Sequence, residues 1–326
     1  MIDVSAPGLF TTVQDRGRPG FYAMGIAPSG ALDLYSHEVA NLLVGNDGGA
    51  ATLEFTFVGP TLTFSEFTVI AVTGAVLDIS LDGVRVPPWT CQVVRAGQTL
   101  TFGPMLAGAR GYLAVRGGID VPQVMESRST YVLSGIGGLQ GRALRAGDRL
   151  DTGQDVNPAA NPRGGESVPA AFIPALHGDR EIRVVGGLCD YRLTQASITE
   201  LFSAPYEVTL EANRTGYRFA GPPLEFIARD APFGAGSDPS NVVNLGYPVG
   251  SIQVPSGTEL ICLLRDAVTG GGYATVGTVI SADLDAIAQM KAPDRAMFTQ
   301  VSLQTALAER RVRRERLDRI AESMAH

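Results

Sequence analysis

Phe57-Val58-Gly59-Pro60-Thr61-Leu62-Thr63-Phe64 recurs as Phe219-Ala220-Gly221-Pro222-Pro223-Leu224-Glu225-Phe226. Both copies read F-x-G-P-x-L-x-F, half a chain length apart. Downstream, Val84-Arg85-Val86-Pro87 is echoed by Ser251-Ile252-Gln253-Val254-Pro255. One shared turn type can repeat by chance, but two echoes in the same order point to duplication of a β-rich unit. Between the copies, residues 151–169 are poor in large apolar side chains and hold Pro158, Pro162 and Pro169, the marks of a linker or long loop. The expected division is a β-rich N-terminal half over 1–155, a linker over 156–172, a β-rich C-terminal half over 173–300 and a terminal helix over 301–326.

Strand-like alternation or short apolar runs occupy residues 68–73, 76–81, 112–115, 182–185, 206–210 and 260–264. Many short strands with Gly and Pro turns argue for barrels or sandwiches. Helix is limited. Leu32, Tyr35, Val39, Leu42 and Leu43 recur at helical spacing, and Gly45-Asn46 is a good stop. A second helix is expected from near Asp283. A third begins at Ser302 and runs through a charged centre over 309–319, with Leu303, Leu307, Leu317, Ile320 and Met324 towards its ends. The charged centre reads most simply as a solvated face, with docking onto a partner as the alternative.

The 326 residues are enough for two domains, and 45% hydrophobic with 18% charged residues marks a globular chain. A net charge of −7 argues against nucleic acid, because neutralising phosphates needs a basic surface. No apolar run reaches the ~20 residues of a membrane span, and Met1-Ile2-Asp3-Val4 has neither the basic nor the apolar region of a signal peptide. Of 26 Lys and Arg residues only Lys291 is a lysine, so Schiff-base or lysyl-carrier chemistry has a single candidate position. Cys91, Cys189 and Cys262 lie far apart among apolar neighbours, which predicts buried, reduced thiols in a cytoplasmic protein.

The histidines His37, His177 and His326 sit near no recognisable nucleophile motif, which argues against Ser-His-Asp catalysis and a histidine metal site. Neither a G-x-x-x-x-G-K-[ST] loop nor a dinucleotide fingerprint occurs. Arginines among small hydroxyls are more promising. Ser127-Arg128-Ser129-Thr130 precedes Gly135-Ile136-Gly137-Gly138, Asn213-Arg214-Thr215-Gly216-Tyr217-Arg218 is a second polar turn, and Gln14-Asp15-Arg16-Gly17-Arg18-Pro19-Gly20 a third. A guanidinium is the natural bidentate partner of a carboxylate or phosphate. The bland reading of each is an Arg–Asp network around a surface turn; three such turns beside glycines favour a polar cleft. Thr269-Gly270-Gly271-Gly272-Tyr273 adds a glycine run that reads as neither helix nor stable strand, followed by a buried strand over 276–280. It reads either as a tight turn or as backbone lining a ligand site.

Taken in order, Gln14-Asp15-x-Gly17-Arg18-Pro19-Gly20, Pro28-Ser29-Gly30-Ala31-Leu32-Asp33, Ala40-Asn41-Leu42-Leu43-Val44-Gly45-Asn46, Leu53-Glu54 and Gly117-Gly118-Ile119-Asp120-Val121-Pro122 resemble one family. So do Ser127-Arg128-Ser129-Thr130, Asn213-Arg214-x-Gly216-Tyr217-Arg218, Ile252-Gln253-Val254-Pro255 and the stretch from Gly271-Gly272-Tyr273 through Gly277-Thr278-Val279-Ile280-Ser281-Ala282-Asp283. The family is the biotin-dependent carboxyltransferase type, which includes the C-type subunit of 5-oxoprolinase and is also called KipA-like or allophanate hydrolase subunit 2. The resemblance runs over roughly residues 5–305. It implies a mainly β fold of two related cyclophilin-like β-barrel halves with a few short helices and a C-terminal helix.

The resemblance also implies ATP-dependent opening of 5-oxo-L-proline to L-glutamate, with ATP shared with two partner proteins, one KipI-like (B-type) and one LamB/YcsF-like (A-type). Two alternatives remain. One is a carboxyltransferase half of a urea carboxylase or allophanate-type system, to which alone biotin would belong. The other is a regulatory protein that binds a KipI-like kinase inhibitor. Carried onto this chain, the resemblance implies catalytic roles for Arg128, Arg214 and Asp15. Substrate binding falls to Ser29, Ser127, Ser129, Thr130, Asn213, Tyr217, Gln253, Thr269, Gly271, Gly272 and Tyr273, with no metal. The chain departs from the family where many members carry D-R-Q-T-T-G-G-Y-P: Ala267 and Val268 replace Arg and Gln, and Ala274 replaces Pro. Asn213 stands where Asp is common; it keeps an acceptor but cannot act as a base.

Overall fold

The computed structural model describes residues 1–154, 164–176, 178–230 and 232–324. His177, His326 and the 156–163 part of the expected linker lie outside them. The protein is mainly β, and its compact units are Met1–Arg18, Ser29–His177 and Arg314–His326 on one hand, Pro19–Pro28 and Gly178–Arg313 on the other. The units therefore differ from contiguous halves in two places. Residues Pro19–Pro28 group with the second unit, where the Tyr22 hydroxyl donates to the Tyr247 carbonyl. The terminal helix divides between the two.

The first unit holds β1 (Ile2–Ala6), β2 (Phe10–Gln14), α1 (Leu34–Leu43), β3 (Thr52–Thr56), β4 (Thr61–Phe64), β5 (Thr68–Leu81), β6 (Val84–Val86), β7 (Cys91–Val94), β8 (Thr99–Val115), β9 (Ile119–Asp120) and β10 (Arg149–Thr152). These strands form one ten-stranded sheet ordered β2-β3-β8-β4-β1-β10-β9, with β5 pairing β6, β7 and β8. The two runs expected at 68–73 and 76–81 are one strand. Pairing with β8 continues past Gly74 through register shifts that bend the ladder without ending it. One core of Val, Leu, Ile and Phe side chains packs on this sheet. A second lies under α1 and takes in Leu317 and Ile320. Asp33 caps α1 by accepting from Ser36 N at 2.9 Å, and Gly45 supplies the positive φ of 76° that follows it.

The second unit holds β11 (Arg180–Gly186), α2 (Gln195–Leu201), β12 (Pro205–Ala212), β13 (Gly216–Ala220), β14 (Asn241–Gly246), β15 (Ser251–Gln253), β16 (Leu260–Leu263), β17 (Gly270–Tyr273), β18 (Thr275–Val279), α3 (Leu284–Gln289) and β19 (Arg295–Gln300). Seven of these strands close a barrel in the order β11-β18-β15-β16-β13-β12-β19, while β14 and β17 form a separate ribbon. Closure removes sheet edges, and Tyr206, Phe219 and Phe298 fill the barrel with tilted and edge-on ring contacts. α4 (Leu303–Met324) follows. Its charged centre is only partly a solvated face: Glu309 pairs with Arg183 at 2.8 Å and Arg313 with Asp285 at 2.7 Å.

The repeated motif has a common physical origin. In each copy a strand ends and the chain turns at a glycine pressed against an aromatic ring. A Cβ on Gly59 would stand 2.6 Å from the Phe102 ring, and one on Gly221 2.3 Å from the Tyr206 ring. The leucine of each copy, Leu62 and Leu224, is buried. The second echo is less alike. β6 is an exposed hairpin strand, whereas β15 is buried on all three residues within the barrel.

Candidate functional site

Three of the motifs read from sequence meet in the first unit. The Ser127–Thr130 stretch runs beside the end of β2, where Thr130 donates to Val13 O from both N and Oγ1 at 2.9 Å. Gly137 and Gly138, at φ 67° and 54°, pass so close to Ser129 and Thr130 that a methyl on either would overlap them. Ala31 N donates to Asp15 O at 2.9 Å, and Gly30 lies against the backbone of Arg16 and Gly17 with no room for a side chain. Behind this, buried Glu54 accepts from Leu32 N and the Tyr112 hydroxyl, each at 2.8 Å. The Tyr112 hydroxyl is pushed well above its ordinary pKa by burial and by the charge of Glu54.

Asp15 lies at the centre of this meeting. Its Oδ1 accepts from Gly17 N and Ser127 Oγ, both at 2.7 Å, and from Ser129 Oγ. Its Oδ2 accepts from Arg128 N at 2.6 Å. A carboxylate engaged by four donors and almost fully buried is a clasp, not a free base. The expected catalytic role is thus corrected to a positioning one: Asp15 fixes the backbone of Arg128. The hydroxyls of Ser127, Ser129 and Thr130 belong to the same structural network. Ser29 is fully buried at φ 50°.

Arg128 differs from its neighbours. Its head reaches Asp120 Oδ1 at 3.0 Å, with the two side chains 34% and 51% exposed. Among the described residues no other group bonds the guanidinium, and its Nε is buried without a hydrogen-bond partner. The pair lines a cavity of about 460 Å³, walled also by Asn46, Ala50, Ala51, Gly117, Gly118, Ile119, Gly153 and Gln154. Asn46 is part of the frame, accepting from Gly117 N at 2.8 Å and donating to Val115 O at 2.9 Å. Gly117 and Gly118 have φ of 85° and 74°, and a Cβ on Gly117 would stand 2.1 Å from Gly153 O, so the close approach of these two backbones needs the glycine. Asp120, Asn46, Gly153 and Gln154 were missed as site residues. The glycine pair two positions ahead of Asp120 was the available signal.

The remaining expected residues lie in the second unit. Arg214 is buried and bidentate with Asp266, Nε to Oδ2 at 2.7 Å and Nη2 to Oδ1 at 3.0 Å. This corrects its expected catalytic role, because its fork already has a protein carboxylate. Asn213 folds its own turn, accepting from Thr215 N at 2.8 Å. Tyr217 is in the core, its hydroxyl donating to Met290 O at 3.2 Å, so it is placed away from any surface.

The glycine run also departs from expectation. Gly270, Gly271 and Gly272 form β17, paired with β14, and none has a φ in the left-handed region. Lack of side chains is what the ribbon needs here: a Cβ on Gly271 would stand 3.0 Å from the ring of buried Tyr247. The Tyr247 hydroxyl, raised in pKa by burial, donates to Tyr273 O at 2.9 Å and accepts from Tyr273 N at 2.7 Å. Gln253 is buried, and Thr269 O accepts from Tyr247 N at 2.9 Å. Ala267, at one position where the family carries a larger residue, is buried against Tyr247 and Leu263; Val268 is exposed.

His37 is buried in α1 with Nδ1 2.9 Å from Thr52 Oγ1, and no cluster able to hold a metal occurs among the described residues. All three cysteines are free and buried. No described helix is long and apolar enough to cross a membrane.

A closed seven-stranded barrel and a ten-stranded sheet unit, the latter with a cavity beside Arg128, define a two-unit, β-rich fold. The family described as "Carboxyltransferase domain, subdomain A and B" matches residues 24–300, and the chain belongs to it. It is 36% identical over 321 residues to the C-type subunit of 5-oxoprolinase from Escherichia coli (strain K12), covering 98% of each chain. It is 34% identical to urea amidolyase of Saccharomyces cerevisiae over 94% of this chain, and spans only 17% of that protein's length. Among solved structures, the Kluyveromyces lactis urea carboxylase superposes with a TM-score of 0.91 at 32% identity, over 98% of this chain and 29% of that one.

Proposed function

We propose that the chain is the C-type component of an ATP-dependent complex that opens a cyclic amide, 5-oxo-L-proline with ATP and water giving L-glutamate. The observation that carries this reading is the end-to-end correspondence with the E. coli protein, 98% of both chains at 36% identity. The cavity beside Arg128 supports it, because a single guanidinium, paired with Asp120 in a small cavity partly walled by Ala50, Ala51 and Ile119, suits a small carboxylate better than a triphosphate. ATP is accordingly assigned to the complex as a whole, shared with a KipI-like and a LamB/YcsF-like partner protein. The buried, unpaired thiols agree with a reducing, cytoplasmic setting.

The likeness to urea carboxylase favours one second reading, a carboxyltransferase acting with a biotin carrier and a biotin carboxylase. Regulatory binding of a KipI-like protein is a third. Co-expression with the proteins encoded beside it, followed by glutamate release from 5-oxo-L-proline with and without ATP, separates them. ATP-dependent release by the complex and none by the chain alone is expected. Robust turnover by the isolated chain would overturn the split-complex reading.

A further inference from the structure

We infer that Arg128 and Asp120 together read a carboxylate and the N–H beside it in one small ligand, so that the cavity takes a cyclic amino acid with its amide in the ring. This assignment rests on the lactam-opening reading above and says which end of the substrate this chain holds.

The argument begins with availability. Arg128 has a fixed base and a loosely held head. Its backbone N is bound by buried Asp15 at 2.6 Å, while its head makes one ion pair in which both partners are partly exposed. Such part-exposed pairs contribute little, so a ligand carboxylate can share or replace the contact. Arg214, buried and bidentate with Asp266, offers nothing comparable.

A guanidinium carries five N–H donors; here Asp120 engages one on Nη2 and Nε is buried. The Nη1–Nη2 edge is left for a bidentate carboxylate. On Asp120, Oδ1 takes Arg128, while Oδ2 has no partner among the described residues. The site thus presents a donor fork next to a carboxylate acceptor. A carboxylate attached to a carbon next to a ring N–H presents the complementary acceptor and donor at the same short spacing.

The remaining walls set the size and polarity of what lies behind. Ala50, Ala51 and Ile119 are apolar and suit ring methylenes, and the glycines at 117, 118 and 153 let the ligand meet backbone directly. A cavity of about 460 Å³ suits a small molecule.

The test uses the reconstituted complex and two lactams, 5-oxo-L-proline and 2-pyrrolidinone, which is the same ring without the carboxylate. Wild type should prefer the acid in kcat/KM by about tenfold or more, the size of a charged bidentate contact. Arg128→Met should shrink that preference to about twofold or less, mainly through KM. Arg128→Lys, which keeps the charge and loses the fork, should fall between. Asp120→Asn should weaken both lactams alike, because both carry the N–H. Melting curves matching wild type check that the turn is intact, and Arg128→Lys serves if Met disturbs it. A wild-type preference ratio in both Arg128 variants would overturn the inference and leave the hydrolase reading standing. If the wild-type complex opens neither lactam, the hydrolase reading fails. Calorimetry of 5-oxo-L-proline with the purified chain then decides the inference: binding lost in Arg128→Met upholds it, and no binding by wild type overturns it.

Discussion

Arg128 and Arg214 carry the same head group in similar polar turns, and burial separates them. Arg214 is closed off by Asp266, both side chains being nearly inaccessible. Arg214→Met should therefore strand a buried carboxylate and lower stability by about 3–5 kcal/mol in urea denaturation. A combined Arg214→Met and Asp266→Leu change should recover part of that loss, and a silent Arg214→Met would return this arginine to the functional candidates. Asp15 is the opposite kind of surprise, a carboxylate that looks like a base in sequence and acts as a clasp. Asp15→Ala would leave Gly17 N, Arg128 N and two serine hydroxyls without their acceptor. A loss of at least about 2 kcal/mol is expected, and unchanged stability with lost activity would restore a chemical role.

At the scale of elements, the glycines sort by what their missing Cβ would meet. Gly59 and Gly221 face aromatic rings within 2.6 Å. Alanine at either should force overpacking and lower stability by about 1–3 kcal/mol. Gly272, in the β17 ribbon, has extended φ and its nearest neighbour is Val242 O at 3.4 Å. Gly272→Ala should be tolerated, with a change within about 0.5 kcal/mol. The contrast is checked by parallel thermal melts. Equal destabilisation in all three would mean that ring packing is not the reason for the repeated motif. The expectation that a triple glycine cannot be a strand was wrong for a nonlocal reason. Pairing with β14 and the ring of Tyr247 lie outside the local sequence.

Across the whole molecule, carboxylates held in their charged form give the fold an acid limb. Asp148 in the first unit is held below the usual carboxylate range by its bidentate bond to Arg142 and by Arg145 N. Asp238 in the second unit is lowered by Ser240 and Ser256. A carboxyl whose folded pKa lies below its unfolded value stabilises the fold above the unfolded value, about 4, and that contribution is lost as pH falls through the folded pKa. Stability should therefore drop below about pH 4, and Asp148→Asn should flatten part of that slope while lowering stability at neutral pH. An unchanged acid slope would remove Asp148 from the account. At the alkaline side, burial pushes the Cys91 and Cys262 thiols up to about 12, with Glu166 adding to Cys91. Both should resist a thiol reagent at about pH 8 until the chain unfolds; rapid labelling of the folded protein would contradict their burial.

The class of fold was legible in the sequence because it depends on local chemistry. Period-two runs such as 206–210 make strands, Asp33 and Gly45 bound a helix, and the F-x-G-P-x-L-x-F copies mark a turn that needs a glycine under a ring. The composition of the site was half legible. The Ser127–Thr130 motif led to Arg128, while Asp120, its ion-pair partner, was not singled out. What the sequence could not decide was which polar groups are already satisfied. Asp15, Arg214 and Tyr217 look reactive in a string of letters, yet their partners lie far along the chain, at Ser127 and Ser129, at Asp266 and at Met290. Only the tertiary structure brings those partners within hydrogen-bond distance, and burial then decides whether a charged group is left for a ligand or consumed by the fold.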